Sequence, residues 1–231
     1  LGFTHVFLLE QAKYLNHFYL VCLLCFWTIW IPAHRSTSVD ALIGLARKSN
    51  HAPSWSLWIL RFHIAVVYFY GGIAKINPDW FAGKPMDAWL AKRADYAIIG
   101  PLIGAEWMVP IFSWGGLLFD LAVAPALMWR PTRMIAFLLA VAFHLTNSVV
   151  WSIGIFPFLA ISATALFFPS DWPRRFLRLP VYTLPAPPAA PRAPSLIGQL
   201  GRIGLTTYVA IQLLAPLRHW LYPGDVAWTE E

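Results

Sequence analysis

Lys75 sits in the stretch VVYFYGGIAKINPDW (66–80), and its type and setting suit proton transfer. Desolvation disfavours the charged form of a lysine, so an amine held among apolar groups can give up its proton and act as a general base near neutral pH. Arg61, Tyr68 and Lys75 follow one another at intervals of seven residues, which puts them on one stripe of a helix with 3.6 residues per turn. Gly71 and Gly72 lie one turn before Lys75 and permit close approach of a backbone or a ligand. The alternative is that Lys75 merely extends its amine to a nearby interface. Six further polar residues sit in apolar surroundings. Asn16-His17 opens one apolar run, either as an interfacial cap or as part of a site. His144, Asn147 and Ser148 share one face of another, for inter-helix hydrogen bonding or for a ligand. Asp120, in GGLLFDLAV, requires a partner; Arg61 or a histidine is expected, and a structural ion pair is as consistent with the sequence as catalysis.

These residues must be carried by membrane-spanning helices. Hydrophobic residues make up 58% of the 231, charged residues only 12%, and the mean hydropathy is +0.58. A soluble domain carries about 25% charged residues, so too little charge remains to cover a surface in water. Thirteen Trp and sixteen Phe suit aromatic belts at two membrane interfaces. A charge at the bilayer centre costs about 2.5–3.5 kcal/mol on insertion scales, which makes intramembrane ionisable residues candidates for function. The net charge of +6 lies mostly in short loops between apolar runs. That pattern reflects membrane topology and gives no footprint for nucleic acid. There is no Zn-finger spacing, Gly-rich phosphate loop, His-x3-His or Gly-x-Ser-x-Gly motif, so neither a metal nor a serine nucleophile is expected. Cys22 and Cys25 lie mid-run among Leu and Phe and read as buried small hydrophobes.

A span needs about 20 mostly apolar residues. The sequence predicts an all-α polytopic transmembrane bundle of about six helices, at 15–32, 54–76, 106–129, 132–151, 155–169 and 196–217, the fifth being short. An amphipathic interfacial helix is expected over 37–48 and a Pro-rich extended linker over 178–195. The transmembrane domain is expected over 1–217. Both ends look cut: the chain starts at Leu1 without Met, and 218–231 reads as the start of a further exoplasmic domain. Loops with Arg35, Arg47, Lys48, Arg130, Arg133, Arg174, Arg175, Arg178 and Arg192 oppose loops with Lys13, Lys84, Lys92, Arg93 and Arg218. The richer set is assigned to the cytoplasm. Lys75, His17, His144 and Asn147 then fall at a similar depth near the exoplasmic face.

Several of these segments resemble the vitamin K-dependent γ-carboxylase family. VVYFYGGIAKINPDW (66–80) is similar to the segment with that family's base lysine, LNHFYL (15–20) to its Asn-His motif, and FHLTNSVVWSIGIFPFLAI (143–161) with FFPSDWPRR (167–175) to a further long signature; GGLLFDL (115–121) also fits. The chain is identified as a bacterial member of HTTM type, the similarity running in order from about residue 15 to 175. The resemblance implies a chemistry. Reduced vitamin K (the hydroquinone) is deprotonated by the lysine and reacts with oxygen to become a strong base on its way to the epoxide. That base removes a γ-proton from a protein glutamate, and the carbanion captures carbon dioxide. Carried over, Lys75 is the base, His17 assists carboxylation and Asn16 binds the quinone head group. Tyr68, His144 and Asn147 line the quinone site, with Arg61 and Asp120 in a supporting polar network. Implied partners are membrane lipid, a lipid-soluble quinone and a glutamate-containing protein, in a bacterial inner membrane with the site facing the exoplasm. Ala74 and Phe18 stand where animal enzymes carry a second lysine and a small polar residue. Quinol epoxidation without carboxylation, or a non-enzymatic transport or lipid-binding role, are the other readings. If His17 serves carboxylation, His17→Ala lowers carboxylated product more than epoxide in a paired assay; equal loss of both contradicts that role.

Overall fold

The computed structural model of the chain describes residues 2–9, 16–35, 38–47, 49, 51–151, 153–178 and 195–220, with Asn16 and 218–220 described for the backbone alone. Among them the structure is helical, with no strand. That is what lipid demands, because a helix satisfies its backbone N–H and C=O groups internally. The chain divides into two compact units, Leu1–Tyr182 and Thr183–Glu231.

In the first unit, α1 (Gly2–Leu9) packs on α2 (Asn16–Trp30) through Phe3 and Phe7 against Phe18. A short α3 (Val39–Leu42) precedes α4 (Ser54–Ala74), and α5 (Pro78–Phe81), α6 (Lys84–Ala91) and α7 (Gly100–Ile103) lead to α8 (Met108–Met128). Next come α9 (Arg133–Val150), α10 (Phe156–Thr164), continued by a 3-10 turn at Ala165–Phe167, and α11 (Trp172–Phe176). The second unit contains α12 (Leu196–Leu214), started by Ser195, whose hydroxyl accepts from the Gly198 N–H.

Helices α4, α8, α9 and α12 are long and apolar enough to cross a membrane; α2 with the following turn forms a bent fifth candidate. At 21 residues, α4 and α8 are each about 31 Å long, close to the hydrocarbon thickness of about 30 Å. With the shorter α10, these are the six apolar helices expected from sequence, and the chain is an integral membrane protein. Two expectations need correction. The interfacial helix over 37–48 is helical only at Val39–Leu42, because Gly44 at φ +82° turns the chain away. Cys22 is buried but Cys25 is exposed, since α2 packs through a narrow face. The helix α1 carries too few residues to have stood out as a span. The linker at 178–195 lies almost wholly outside the described residues, as do residues 221–231 of the expected junction.

The centre of the first unit is an antiparallel pair, α4 against α8, with α9 and α10 closing one side. Two glycines bring the pair together. A Cβ on Gly72 would lie 2.5 Å from Leu121 Cδ2, and one on Gly71 would lie 3.2 Å from Asp120 Oδ2. Tyr68, Val123, Ala124, Leu127, Ala136, Ala140 and Phe167 form the buried core below them. Large apolar residues such as Leu118, Ile135, Leu138 and Leu139 point outward, as they do in a helix bundle solvated by lipid tails, where small residues mediate the packing. Arginines satisfy helix ends that lack further turns: Arg133 donates to the Leu127 and Met128 carbonyls of α8, Arg93 to Val150 O of α9, and Arg61 to Leu166 O and Phe168 O beyond α10.

Gly72→Val is expected to force α4 off α8 and destabilise the bundle by about 1–3 kcal/mol, the usual penalty for overpacking. Gly115→Ala, whose Cβ meets nothing within 4 Å, is expected to be neutral. Thermal unfolding of both variants in detergent checks this pair, and equal midpoints contradict the packing account.

Candidate active site

Lys75 is where α4 stops. Its N–H donates to the Gly72 carbonyl and the Ile76 N–H to the Ile73 carbonyl, and Asn77 then turns the chain. The Asn77 side chain accepts from the Trp80 N–H at 2.8 Å and donates to Ala74 O at 2.9 Å, so one residue ties the end of α4 to the start of α5. Pro78 at the first helical position and Asp79 in the first turn complete a short-range start signal. The consequence is that Trp80 folds back over Lys75. Its indole N–H donates to Ser113 O on α8 at 2.8 Å, and the Lys75 amine lies 5.2 Å from its ring centre.

The amine is anchored at two points. Nζ donates to Asp120 Oδ2 at 2.6 Å and to Gly71 O at 3.0 Å. The side chains of Lys75 and Asp120 are 22% and 11% exposed, so this pair is largely shielded, unlike the Lys84–Asp79 and Arg175–Asp171 pairs at the surface. As an ammonium Lys75 has three N–H donors, so one remains for a ligand; as a neutral amine it gives both N–H groups to Asp120 and Gly71 and presents its lone pair there instead. Absence of a Cβ at Gly71 and Gly116 makes the room: one at Gly71 would stand 3.9 Å from Nζ, and one at Gly116 would stand 4.0 Å from Lys75 Cε.

Both members of the pair line a cavity of about 470 Å³. Tyr68 and Gly71 from α4, Phe112 and Gly116 from α8, Phe143, His144 and Asn147 from α9, Phe156 from α10, and Met86 and Trp89 from α6 enclose it with Trp80. Its few polar groups converge on an otherwise apolar wall, the usual make-up of a small-molecule site. Tyr68 Oη is 2.7 Å from His144 Nε2, and both residues are buried. His144 Nδ1 is buried with no hydrogen-bond partner among the described residues. A second, mainly apolar groove of about 640 Å³ runs between α8 and α9 from Ile111 and Asn147 to Ala126 and Thr132. It shares Phe112, Gly116, Phe143 and Asn147 with the first cavity, and the stacked Phe119 and Phe143 rings, 3.9 Å between centres, form part of the wall.

The structure therefore brings Lys75, Tyr68, His144 and Asn147 to one cavity. His17 stands beside it: its ring centre is 5.5 Å from that of Phe156, which lies 5.8 Å from His144, so the two histidines flank one phenylalanine. Asn16 starts α2, and its side chain lies outside the described residues. The supporting network expected between Arg61 and Asp120 does not form. Asp120 belongs with Lys75, whereas Arg61, about four turns earlier on α4, is engaged by the Leu166 and Phe168 carbonyls beyond α10. Helical periodicity explains this: the pairing acid sits on an antiparallel helix opposite Gly71, a register that a single sequence does not display. Sequence reasoning also missed Trp80, for which the Asn-Pro-Asp signal after Lys75 was the available clue.

The family model for the HTTM domain matches residues 1–172, and the chain belongs to that family, in keeping with a vitamin K-dependent carboxylase-related membrane protein. No solved structure matches the chain.

Removing one member of a buried ion pair leaves the other uncompensated, at about 3–5 kcal/mol, whereas replacing both by apolar groups of similar size is near neutral. Asp120→Leu alone is thus expected to lower thermal stability sharply, and Lys75→Met with Asp120→Leu to recover most of it. Additive losses in this double-mutant cycle contradict the pairing.

Proposed function

We propose that this HTTM-family chain is a quinol-handling membrane enzyme of the vitamin K-dependent carboxylase type, in which Lys75, backed by Asp120, takes the proton from a ring hydroxyl of a lipid-soluble hydroquinone. The observation that carries the reading is the amine held 2.6 Å from a carboxylate on the wall of an apolar cavity between membrane-spanning helices. Such a cavity fits the group. Its volume lies in the range of small-molecule sites, about 300–1,000 Å³, its walls are aromatic, and the adjoining groove offers apolar length for a prenyl or phytyl tail.

The chain's own residues then have distinct tasks. Asp120 fixes the Lys75 amine in place and compensates the positive charge that forms when it accepts the proton. Trp80 covers the amine and excludes water from one side. Tyr68 can donate to His144 and still accept from a ligand hydroxyl, because a hydroxyl offers one donor and two lone pairs. Asn147, with both donor and acceptor atoms, borders both cavity and groove and can mark the junction of head group and tail. Reduced vitamin K supplies, with oxygen, the oxidative driving force for proton abstraction from glutamate; carbon dioxide is the co-substrate of carboxylation. A site open to the exoplasmic side suits a soluble protein substrate.

A second reading, quinol epoxidation without carboxylation, is favoured by the position of His17. Its ring lies behind Phe156 and is not among the residues that line the cavity.

Epoxide formation from vitamin K hydroquinone by the full-length protein tests the proposal. Lys75→Met, which keeps the side-chain length without a basic nitrogen, is expected to lose at least about 100-fold in rate, the lower end for a general base, while remaining folded when combined with Asp120→Leu. Turnover at the native rate in that folded double variant contradicts the assignment of the base.

A further inference from the structure

Two guanidinium groups stand together at the end of the bundle remote from Lys75. Arg61 precedes Lys75 by fourteen residues on α4, about 21 Å along the helix axis. Its Nε donates to Leu166 O at 2.8 Å and its Nη2 to Phe168 O at 3.1 Å. Arg133 opens α9, with Nε donating to Leu127 O at 2.8 Å and Nη2 to Met128 O at 3.0 Å. Phe168 connects the two. Phe137, one turn beyond Arg133 and on the same face, packs edge-on against the Phe168 ring at 5.2 Å, while Arg61 holds the Phe168 carbonyl.

Among the described residues, neither guanidinium has a carboxylate partner. Asp171, just past Phe168, is taken by Arg175 at 2.7 Å, and Asp120 is taken by Lys75. The carbonyls at helix C-termini carry about half a negative charge per helix, which offsets each arginine only in part. Each guanidinium has five N–H donors and uses two of them on carbonyls, which leaves three on each. Trp58 and Phe167 flank the Arg61 group at 5.4 and 5.9 Å and hold its plane. Around Arg133 the surface is apolar, with Met128, Trp129, Met134 and Ile135 exposed.

We propose that Arg61 and Arg133 together form a phosphate-binding site for the head group of an anionic phospholipid. The planar guanidinium fork matches phosphate oxygens in pairs, which a carbonyl cap does not exhaust. The exposed apolar collar accommodates the acyl chains, which makes the lipid the natural source of that phosphate. A bound anion ties α4, α9 and the end of α10 together. This site is separate from the Lys75 cavity and stands or falls independently of it.

The test is binding of phosphatidylglycerol to the purified full chain in phosphatidylcholine–detergent micelles, read by native mass spectrometry and by thermal midpoint. Phosphatidylglycerol is expected to bind and to raise the midpoint, with phosphatidylcholine inert. Arg133→Gln is expected to weaken binding about tenfold or more, as for loss of a charge-assisted hydrogen bond; Arg61→Gln does the same where it folds. Arg130→Gln, on the exposed loop beside the site, is expected to change binding less than about twofold. Inorganic phosphate giving the same shift as the lipid, lost equally in Arg133→Gln, supports the phosphate site and assigns it to the free anion. Equal responses to the two lipids, an unaltered response in Arg133→Gln, or an equal loss in Arg130→Gln overturns the proposal.

Discussion

The contact between Lys75 and Asp120 constrains much of this bundle. A lone ammonium or carboxylate at that depth is costly in lipid, and the two become tolerable only within hydrogen-bonding distance. Reaching 2.6 Å requires that α4 and α8 run antiparallel and nearly touch, which requires glycine at 71 and 72. It also requires that α4 end at Lys75, so that the side chain can turn back to Gly71 O and leave a donor or a lone pair for a ligand. The Asn77-Pro78 turn performs that termination, and Trp80 then covers the pair. Helix packing, helix termination and cavity shape are thus consequences of holding one pair of charges within an apolar bundle.

The cavity is neither a neutral greasy slot nor a polar channel. Tyr68 and His144 satisfy each other on one wall, Lys75 and Asp120 on another, and the remaining surface is aromatic and aliphatic. In the proposed reading, polar pairs held apart by apolar walls accommodate a flat ligand with oxygen atoms at its edge. The groove between α8 and α9 continues the apolar surface away from these oxygens. An amphiphilic ring with a long tail matches both parts. At the other end of the bundle, arginines meet carbonyl ends where helices stop, so the polar chemistry of the chain concentrates where helices terminate or approach closely.

Much of this architecture was legible in the residues. The spans α4, α8 and α9 fall within two residues of the limits that hydropathy sets, because an apolar run of that length has no other stable form in lipid. The shared depth of Lys75, His144 and Asn147 followed from alternating helix direction, and the place of Tyr68 from its spacing to Lys75, although the first argument also took in His17 and the second Arg61, which do not line the cavity. What was not legible depended on register between helices. Asp120 had no visible reason to choose Lys75 over Arg61, since that choice is made by which turn of α8 faces Gly71. His17 was expected inside the site and instead stands against Phe156, which lines the cavity where His17 does not. The short helices α1 and α3 depend on local turns, with Gly44 at positive φ ending the latter segment, and carry too few apolar residues to announce themselves.

The most direct test of the account is photo-crosslinking of a tailed naphthoquinone bearing a photoreactive group on its ring to the full-length protein, with the labelled residues mapped by mass spectrometry. The account predicts labels on the ring-facing wall, at Tyr68, Trp80, Phe143 or Trp151, which disappear when excess unlabelled quinone is present. Labels confined to outward residues such as Leu138 or Leu145, and indifferent to competitor, would contradict it.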